Sequence, residues 1–196
     1  GRTFDLKGNF KSMPEFSLTE DFPRDCDNLY QFPLYEWGPF LFAGLNPSFD
    51  FEEVVNPIKD RIGFLPLDQF SFDSSMSKDY LVQAHWALYC DNYLEGFHIP
   101  FVHEDLNKVL DYGSYKTELY KYSNLQIGYS DDSNEVFDLP KDHIDYGKKV
   151  AAYYYWVFPN MMFNFYPWGL SVNIVKPISI NRTKVSFLTY IYDESK

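Results

Sequence analysis

Two of the chain's four histidines lie within the thirteen residues DNYLEGFHIPFVH, at positions 91–103, together with two carboxylates and an amide. On an α-helix, Asp91, Glu95 and His98 would share one face, because residues three, four and seven apart are neighbours there. Imidazole and carboxylate bind divalent transition metals, and two histidines with one carboxylate hold Fe(II) in non-haem oxygenases. The segment therefore predicts a metal site at His98 and His103. The alternative is an ordinary solvated acidic helix face.

The element that must position these residues is a helix predicted over residues 86–98. Apolar side chains recur along it at helical spacing and predict its buried face. They are Trp86, Tyr89, Cys90, Tyr93 and Phe97. Pro100 cannot donate an i→i−4 hydrogen bond, so the helix should end or bend between the two histidines. We expect the bend to bring both imidazoles to a common point, about 2–2.2 Å from a metal ion.

The rest of the sequence predicts mainly β-structure. Residues 1–10 and 29–45 have the pattern of short hairpins, whereas residues 46–77, rich in Pro, Asp and Ser, predict an irregular connection. Further strands are predicted over residues 79–85, 113–128, 153–166, 170–174 and 185–191. Four or more antiparallel strands with one key helix predict an α+β fold in which a curved sheet grips the helix. The polar stretch 130–149 is either an entry loop or a plain insertion.

Composition restricts the function classes. The 196 residues suffice for one well-buried core, and 20% of them are aromatic. The formal net charge of −11 argues against nucleic acid or an anionic membrane as partner and suits a basic redox partner or a cationic substrate. Two distant cysteines predict neither a disulfide framework nor a zinc site. With no signal peptide or long apolar run, the expected compartment is the cytoplasm.

Three segments resemble one family, the Rieske non-haem iron oxygenase large (alpha) subunits of the ring-hydroxylating dioxygenase type. HWALYCDNYLEGFHIPFVH resembles their iron-binding segment, a Trp-led helix followed by Asp-Asn-Tyr/Phe, an acid and His-x4-His. YYYWVFPNMMFNFYPWGLSVNIVKP, residues 153–177, resembles their downstream sheet, and GRTFDLKGN resembles the segment just after the second Cys-x2-His of their Rieske motif. The three segments occur in the family's order and span most of the chain.

The resemblance implies roles for the residues of the first segment. His98 and His103 are the implied iron ligands, and Glu95 is the implied carboxylate between the iron and a neighbouring subunit's Rieske cluster. Asp91 and Asn92 are candidate partners of the ligating histidines, because a ligating imidazole nearly always donates its other N–H to a carboxylate or carbonyl oxygen. The alternative for both is helix capping or solvation. Glutamate rather than aspartate at position 95 resembles the branch that acts on quaternary ammonium compounds. The family's third ligand, an aspartate, is expected after the end of this chain, and Asp193 and Glu194 are the in-chain alternatives.

At the scale of domains, the resemblance implies that residues 1–50 are the C-terminal remnant of a Rieske [2Fe-2S] domain and that residues 51–196 are a catalytic domain truncated at its C-terminus. Arg2 stands where the family usually has tryptophan, and the cluster ligands are expected before Gly1. We therefore expect this fragment alone to be inactive, with little metal and an exposed apolar rim around residues 1–45.

The implied activity is hydroxylation of a small organic substrate with O2 at a mononuclear Fe(II), by mono- or dioxygenation. Electrons would come from the Rieske cluster, supplied in turn by a reductase or ferredoxin, and the full-length subunit would be a homotrimer. The alternative is a binding module for an apolar small molecule without catalysis, because the helix-grip fold also serves as a carrier and a fold does not fix a function.

Overall fold

The computed structural model describes residues 1–96, 98, 116–130, 132 and 135–192. The chain folds into two compact units, Gly1–Ser48 and Phe49–Lys196. The division falls after residue 48, and the assignment of residues 1–50 to a Rieske domain and of residues 51–196 to a catalytic domain stays a prediction. Within the described residues, no helix has both the length and the apolar character needed to cross a membrane.

The first unit consists of two small hairpins. Strands β1 (Thr3–Phe4) and β2 (Phe10–Ser12) pair antiparallel, as do β3 (Leu34–Trp37) and β4 (Phe40–Ala43). Both hairpins were predicted, and both are confirmed. Large apolar side chains of this unit face solvent, namely Leu6, Leu18, Leu29, Tyr30, Phe32, Leu34, Leu41 and Leu45. The exposed apolar rim expected around residues 1–45 is therefore present.

The second unit is built on a seven-stranded antiparallel sheet with the order β5-β11-β10-β9-β8-β7-β6. Its strands are β5 (Ser71–Val82), β6 (Lys116–Leu119), β7 (Ser123–Tyr129), β8 (Val150–Val157), β9 (Met161–Tyr166), β10 (Gly169–Ser179) and β11 (Arg182–Ile191). Two α-helices accompany it, α1 (Phe51–Ile62) and α2 (Trp86–Leu94). The α+β fold with a sheet gripping a helix is confirmed.

Helix α1 corrects the prediction of an irregular connection over residues 46–77. Four apolar residues recur there at helical spacing and are buried, namely Val54, Val55, Ile58 and Ile62. Pro57 lies inside this helix, where proline is ordinarily unfavourable, so its presence obscured the pattern. The strand predicted from residue 79 also begins earlier, because β5 starts at Ser71.

The two helices lie on opposite faces of the sheet. On one face, the hydroxyl of Tyr155 on β8 donates to the carbonyl of Pro57 on α1 at 3.2 Å. On the other face, Cys90 of α2 packs with Met162 against the sheet, and Trp156 joins this cluster. Successive residues of a strand point to opposite faces, so Tyr155 and Trp156 belong to different cores. Coverage of both faces explains the nearly continuous apolar sequence of β8 and β9.

The described part of the polar stretch 130–149 is packed rather than free. Phe137 and Leu139 are buried, and Asp145 has no exposed surface. Asp145 pairs with the guanidinium of Arg61 on α1, and His143 Nε2 lies 2.7 Å from the Arg61 carbonyl oxygen. These contacts exclude a loosely attached insertion for residues 135–149. A role as an entry loop stays a prediction.

Candidate metal centre

Helix α2 begins with a side-chain cap and ends earlier than predicted. His85 precedes the helix, and its Nδ1 accepts from the Ala87 N–H at 3.2 Å, which satisfies one of the donors left open in a first helical turn. The last helical residue is Leu94, and Glu95 is extended, with φ −107° and ψ 141°. The prediction that the helix extends to His98 is therefore wrong for the last helical turn. Gly96, a weak helix former, comes directly after Glu95.

Glu95 and His98 meet through a turn after the helix instead of along a helix face. Glu95 Oε2 accepts from the His98 backbone N–H at 3.2 Å, and Glu95 Oε1 lies 2.5 Å from His98 Nδ1. An ionised carboxylate only accepts, so Nδ1 carries the proton in this contact. Nε2 is then the ring nitrogen that a metal ion would use. A ligating histidine that donates its other N–H to a carboxylate is the usual arrangement in metal sites.

The other predicted site residues do not join this pair within the part of the chain that the structure describes. Asp91 and Asn92 have exposed side chains on α2. The Asp91 backbone carbonyl accepts from the Glu95 N–H at 3.2 Å as part of the helix end, which is a main-chain bond and does not bring the Asp91 carboxylate to the pair. His103, Asp193 and Glu194 lie outside the described residues, so the convergence of His98 and His103 stays a prediction. In the described ranges, no group of three or more His, Cys, Asp and Glu side chains forms a metal cluster.

The two histidines that were not assigned to the metal have structural contacts. His85 caps α2, as described above. His143 Nε2 must donate to the Arg61 carbonyl, because a carbonyl only accepts, and His143 Nδ1 accepts from the Asp145 N–H at 3.1 Å. His143 is therefore the neutral tautomer protonated at Nε2. It fastens the loop 135–149 to α1, on the face of the sheet opposite to α2.

Polar side chains are buried on the face of the sheet that α2 covers. The Tyr93 hydroxyl donates to Asn164 Oδ1 on β9 at 2.7 Å, and Gln126 Nε2 on β7 donates to the Tyr93 carbonyl at 2.9 Å. Asn173 on β10 is also buried, at 5% exposure. In the sequence, Ser171 and Asn173 form the polar side of an alternating strand. In the structure, that side faces α2. The only sequence signal that polar residues are buried on this face was an asparagine, Asn164, flanked by Phe163 and Phe165.

Three partly buried aromatic rings lie on the same face of the sheet, at the end toward which α2 points. Tyr154 pairs in register with Asn164, and its ring meets that of Tyr166 edge-on, with centroids 5.9 Å apart. The rings of Tyr166 and Trp168 are stacked at 5.0 Å. We call Tyr154, Tyr166 and Trp168 the aromatic group. The Tyr154 ring is nearly perpendicular to that of Tyr166, whereas the rings of Tyr166 and Trp168 are nearly parallel.

Comparison with known families assigns the chain. Residues 69–195 match the family described as ring hydroxylating alpha subunit (catalytic domain). The chain belongs to this ring-hydroxylating alpha subunit family. The resemblance to ring-hydroxylating alpha subunits found in the sequence is thereby confirmed.

Relatives and solved structures agree with this assignment. The chain is 28% identical over 209 residues to the chloroplastic choline monooxygenase of Arabidopsis thaliana, covering 100% of this chain and 47% of that protein. It is 24% identical to the enzyme of Beta vulgaris, covering 94% of this chain and 41% of that protein. The chain thus spans about half the length of the curated relatives it matches.

In structure, the chain is similar to a quaternary ammonium Rieske monooxygenase, with a TM-score of 0.74, 18% identity and coverage of 98% of this chain and 52% of that one. It is also similar to naphthalene 1,2-dioxygenase from Rhodococcus sp., with a TM-score of 0.69 and 15% identity, covering 97% of this chain and 52% of that one. At these identities the likeness establishes the shared fold.

Proposed function

We propose that this chain is the catalytic part of a terminal oxygenase subunit that hydroxylates a quaternary ammonium compound with O2 at a mononuclear non-haem Fe(II). The observation that carries the proposal is the Glu95–His98 pair at the end of α2. It provides an imidazole oriented by a carboxylate at the position where the family resemblance implies an iron ligand. Membership of the ring-hydroxylating alpha subunit family supports the reaction type.

The residues of this chain that would hold the iron are His98, through Nε2, and His103. Bound Fe(II) would supply the activation of O2. Glu95 keeps the proton on His98 Nδ1 and thereby keeps Nε2 available in the neutral ring. Asp91 and Asn92 are proposed as further polar neighbours of the ligands. Both lie within about one helical turn of Glu95, and both are open to solvent.

The electron supply is proposed from the resemblance. Glu95 would be the carboxylate at which the Rieske [2Fe-2S] cluster of a neighbouring subunit transfers its electron, in a homotrimer served by a reductase or ferredoxin. Residues 1–50 are proposed as the C-terminal part of a Rieske domain, and residues 51–196 as the catalytic domain. The partial burial of Glu95 and its contact with His98 support this role, because the carboxylate already touches the ring that would bind iron.

The proposed substrate class has two supports. The named relatives are choline monooxygenases, and one structural neighbour is a quaternary ammonium Rieske monooxygenase. The aromatic group supplies the matching chemistry, since a quaternary ammonium ion is attracted to the faces of tyrosine and tryptophan rings. The net charge of −11 favours the approach of a cation over that of an anion.

The proposal is tested with the full-length subunit, its Rieske cluster intact and Fe(II) loaded under anaerobic conditions. Oxygen consumption with a reductase is measured in the presence of choline, carnitine, naphthalene or no substrate. We expect uptake and product formation that depend on a quaternary ammonium compound. Uptake driven by the aromatic hydrocarbon alone would contradict the substrate class, and a subunit that binds substrate but neither iron nor oxygen would favour a carrier.

A further inference from the structure

Two buried side chains of the sheet hold the last turn of α2 at Tyr93. Gln126 Nε2 donates to the Tyr93 carbonyl at 2.9 Å, and the Tyr93 hydroxyl donates to Asn164 Oδ1 at 2.7 Å. Gln126 is 2% exposed and Asn164 is 5% exposed, so water does not compete for these bonds. We call Tyr93, Gln126 and Asn164 the helix clamp.

The clamp grips the helix from two sides. Gln126 lies on β7 and Asn164 on β9, and β8 runs between those strands. Neighbouring strands are about 4.8 Å apart, so the two anchoring strands are separated by about 10 Å. The carbonyls of a last helical turn lack partners within the helix, and Gln126 provides one for Tyr93. The clamp therefore fixes both the backbone and the side chain of one residue against the sheet.

The direction of each hydrogen bond in the clamp is determined. Asn164 Nδ2 lies 3.0 Å from the Ser171 carbonyl oxygen, which can only accept, so the amide nitrogen must face β10. The oxygen Oδ1 then faces Tyr93, and the Tyr93 hydroxyl must be the donor. A second acceptor, Asn173 Oδ1, lies 3.4 Å from Asn164 Nδ2 and favours the same orientation of the amide. The clamp accordingly favours one placement of the Tyr93 side chain.

We propose that Tyr93 is a positioning residue, which through Gln126 and Asn164 sets the orientation of the Glu95–His98 pair. The backbone leaves the helix at Leu94, directly after Tyr93, and turns at Glu95 into the segment that carries His98. A shift or rotation of the helix end would move both site side chains together. The proposal rests on the proposed iron site and adds the device that holds it in place.

Removing the hydroxyl in Tyr93→Phe leaves Asn164 Oδ1 buried without its donor, an arrangement that the helix end can relieve by shifting. We expect the affinity of the full-length subunit for Fe(II) to fall about 10–100-fold, the range for loss of residues that support metal ligands. The matched control is Tyr89→Phe, which removes a hydroxyl one turn earlier on the same helix, outside the clamp. We expect this control to keep the wild-type affinity.

The experiment measures the Fe(II) dissociation constant anaerobically, by competition with a chelator, at a temperature where circular dichroism shows every variant folded. A purely structural role for Tyr93 would lower the melting temperature without changing this constant. Asn164→Leu and the double variant with Tyr93→Phe complete the set. If Tyr93 acts through Asn164, the double variant binds iron as weakly as Asn164→Leu alone. If Tyr93→Phe fails to fold, Gln126→Met tests the other contact of the clamp, the hydrogen bond from Gln126 to the Tyr93 carbonyl.

The outcomes separate this proposal from the proposed function. A wild-type subunit that binds no iron overturns both. A wild-type subunit that binds iron, with Tyr93→Phe or Gln126→Met binding it equally well, overturns the clamp alone. Losses that multiply in the double variant would show that Tyr93 and Asn164 act independently, and would also overturn it.

Discussion

The carboxylate of Glu95 contacts both the backbone N–H and the ring of His98, so it fixes the direction of that ring. Glutamate suits this contact, because its two oxygens engage two donors three residues away. The neighbouring acid Asp91 has an exposed side chain and does not share the contact. At the residue scale, the candidate site therefore depends on position 95 more than on the general acidity of the segment.

Replacing this carboxylate tests its role in electron supply. In the full-length subunit, we expect Glu95→Gln to keep most of its iron, because the amide oxygen can still accept from His98. We expect substrate-dependent oxygen uptake to fall at least about 10–100-fold. Iron content and oxygen consumption are measured on the same preparation, with Glu53→Gln on α1 as a surface control. Wild-type turnover in Glu95→Gln would leave residue 95 as an ordinary acid.

The aromatic group makes a prediction about charge recognition. If Tyr154 contacts a quaternary ammonium ion, Tyr154→Leu should weaken choline binding by about 5–30-fold, corresponding to about 1–2 kcal/mol for a partly desolvated cation–π contact. Tyr154→Phe keeps the ring and should change little. The uncharged isostere 3,3-dimethylbutanol, measured as an inhibitor, should lose much less affinity in the leucine variant. Equal losses for choline and the isostere would indicate that the ring contributes shape alone.

At the element scale, α1 and α2 cover opposite faces of the sheet, and α1 is fastened by charge. Arg61 is 5% exposed and forms ion pairs with Asp145 and Glu118. Glu118 lies on β6, and Asp145 lies in the loop 135–149. One guanidinium thus ties together a helix, an edge strand and a loop that are far apart in sequence. Its own pKa is raised above the ordinary arginine range, because the bonds to the two carboxylates outweigh the cost of burial.

Removing this guanidinium should destabilise the second unit strongly. Arg61→Met removes one partner of the buried Asp145 carboxylate, which keeps its contacts with Lys148 and Tyr153. Breaking a buried ion pair by removing one partner costs about 3–5 kcal/mol of unfolding free energy. Lys59→Met on the same helix removes only an exposed pair with Glu52 and should cost under about 1 kcal/mol. Urea denaturation of the two variants measures the difference. Similar losses in both would show that the buried network contributes no more than a surface pair.

The same network predicts a pH dependence. Burial alone would raise the pKa of Asp145 and of Glu118. Bonds from Lys148 and Arg61 to Asp145, and from Lys116, Tyr120 and Arg61 to Glu118, instead lower both pKa values below the ordinary carboxyl range. A lowered folded-state pKa stabilises the fold at pH values above the unfolded pKa, and this contribution is lost as the pH falls through the folded pKa. We expect the free energy of unfolding to drop below about pH 4. Arg61→Met should flatten that drop, and an unchanged profile in the variant would contradict the assignment.

The sequence was sufficient to predict the elements whose apolar residues follow a simple period. It was insufficient where tertiary packing determines whether a segment is helical or a side chain is buried. The apolar stripe of α2 and the paired strands from β6 to β11 are predictable from spacing alone. Helix α1 was missed because Pro57 and its acidic neighbours interrupt the apolar pattern of residues 51–62. Packing of this helix against the sheet, which the sequence does not show, is what stabilises it. The polar residues Gln126, Asn164 and Asn173 could not be placed, since a polar strand face looks the same whether solvent or a helix covers it.

At the scale of the whole molecule, the second unit supplies a two-faced sheet whose α2 face gathers the chemistry. The Glu95–His98 pair, the helix clamp and the aromatic group all belong to that face or to the end of the helix on it. On the α1 face, the buried charges among the described residues are those of Arg61 and Asp145, whereas the other ion pairs of α1, Glu52–Lys59 and Glu53–Lys121, are exposed. This division separates the residues that stabilise the unit from those proposed to bind iron and substrate.

The measurement that tests the central claim most directly is the iron content of the full-length subunit after anaerobic loading, with His98 or His143 replaced. The claim is that His98 is an iron ligand and that His143 is a structural residue on the other face. We expect about one mononuclear iron per subunit, beyond that of the Rieske cluster, in the wild type and in His143→Gln, and almost none in His98→Ala or His103→Ala. Wild-type iron content in His98→Ala would contradict the account.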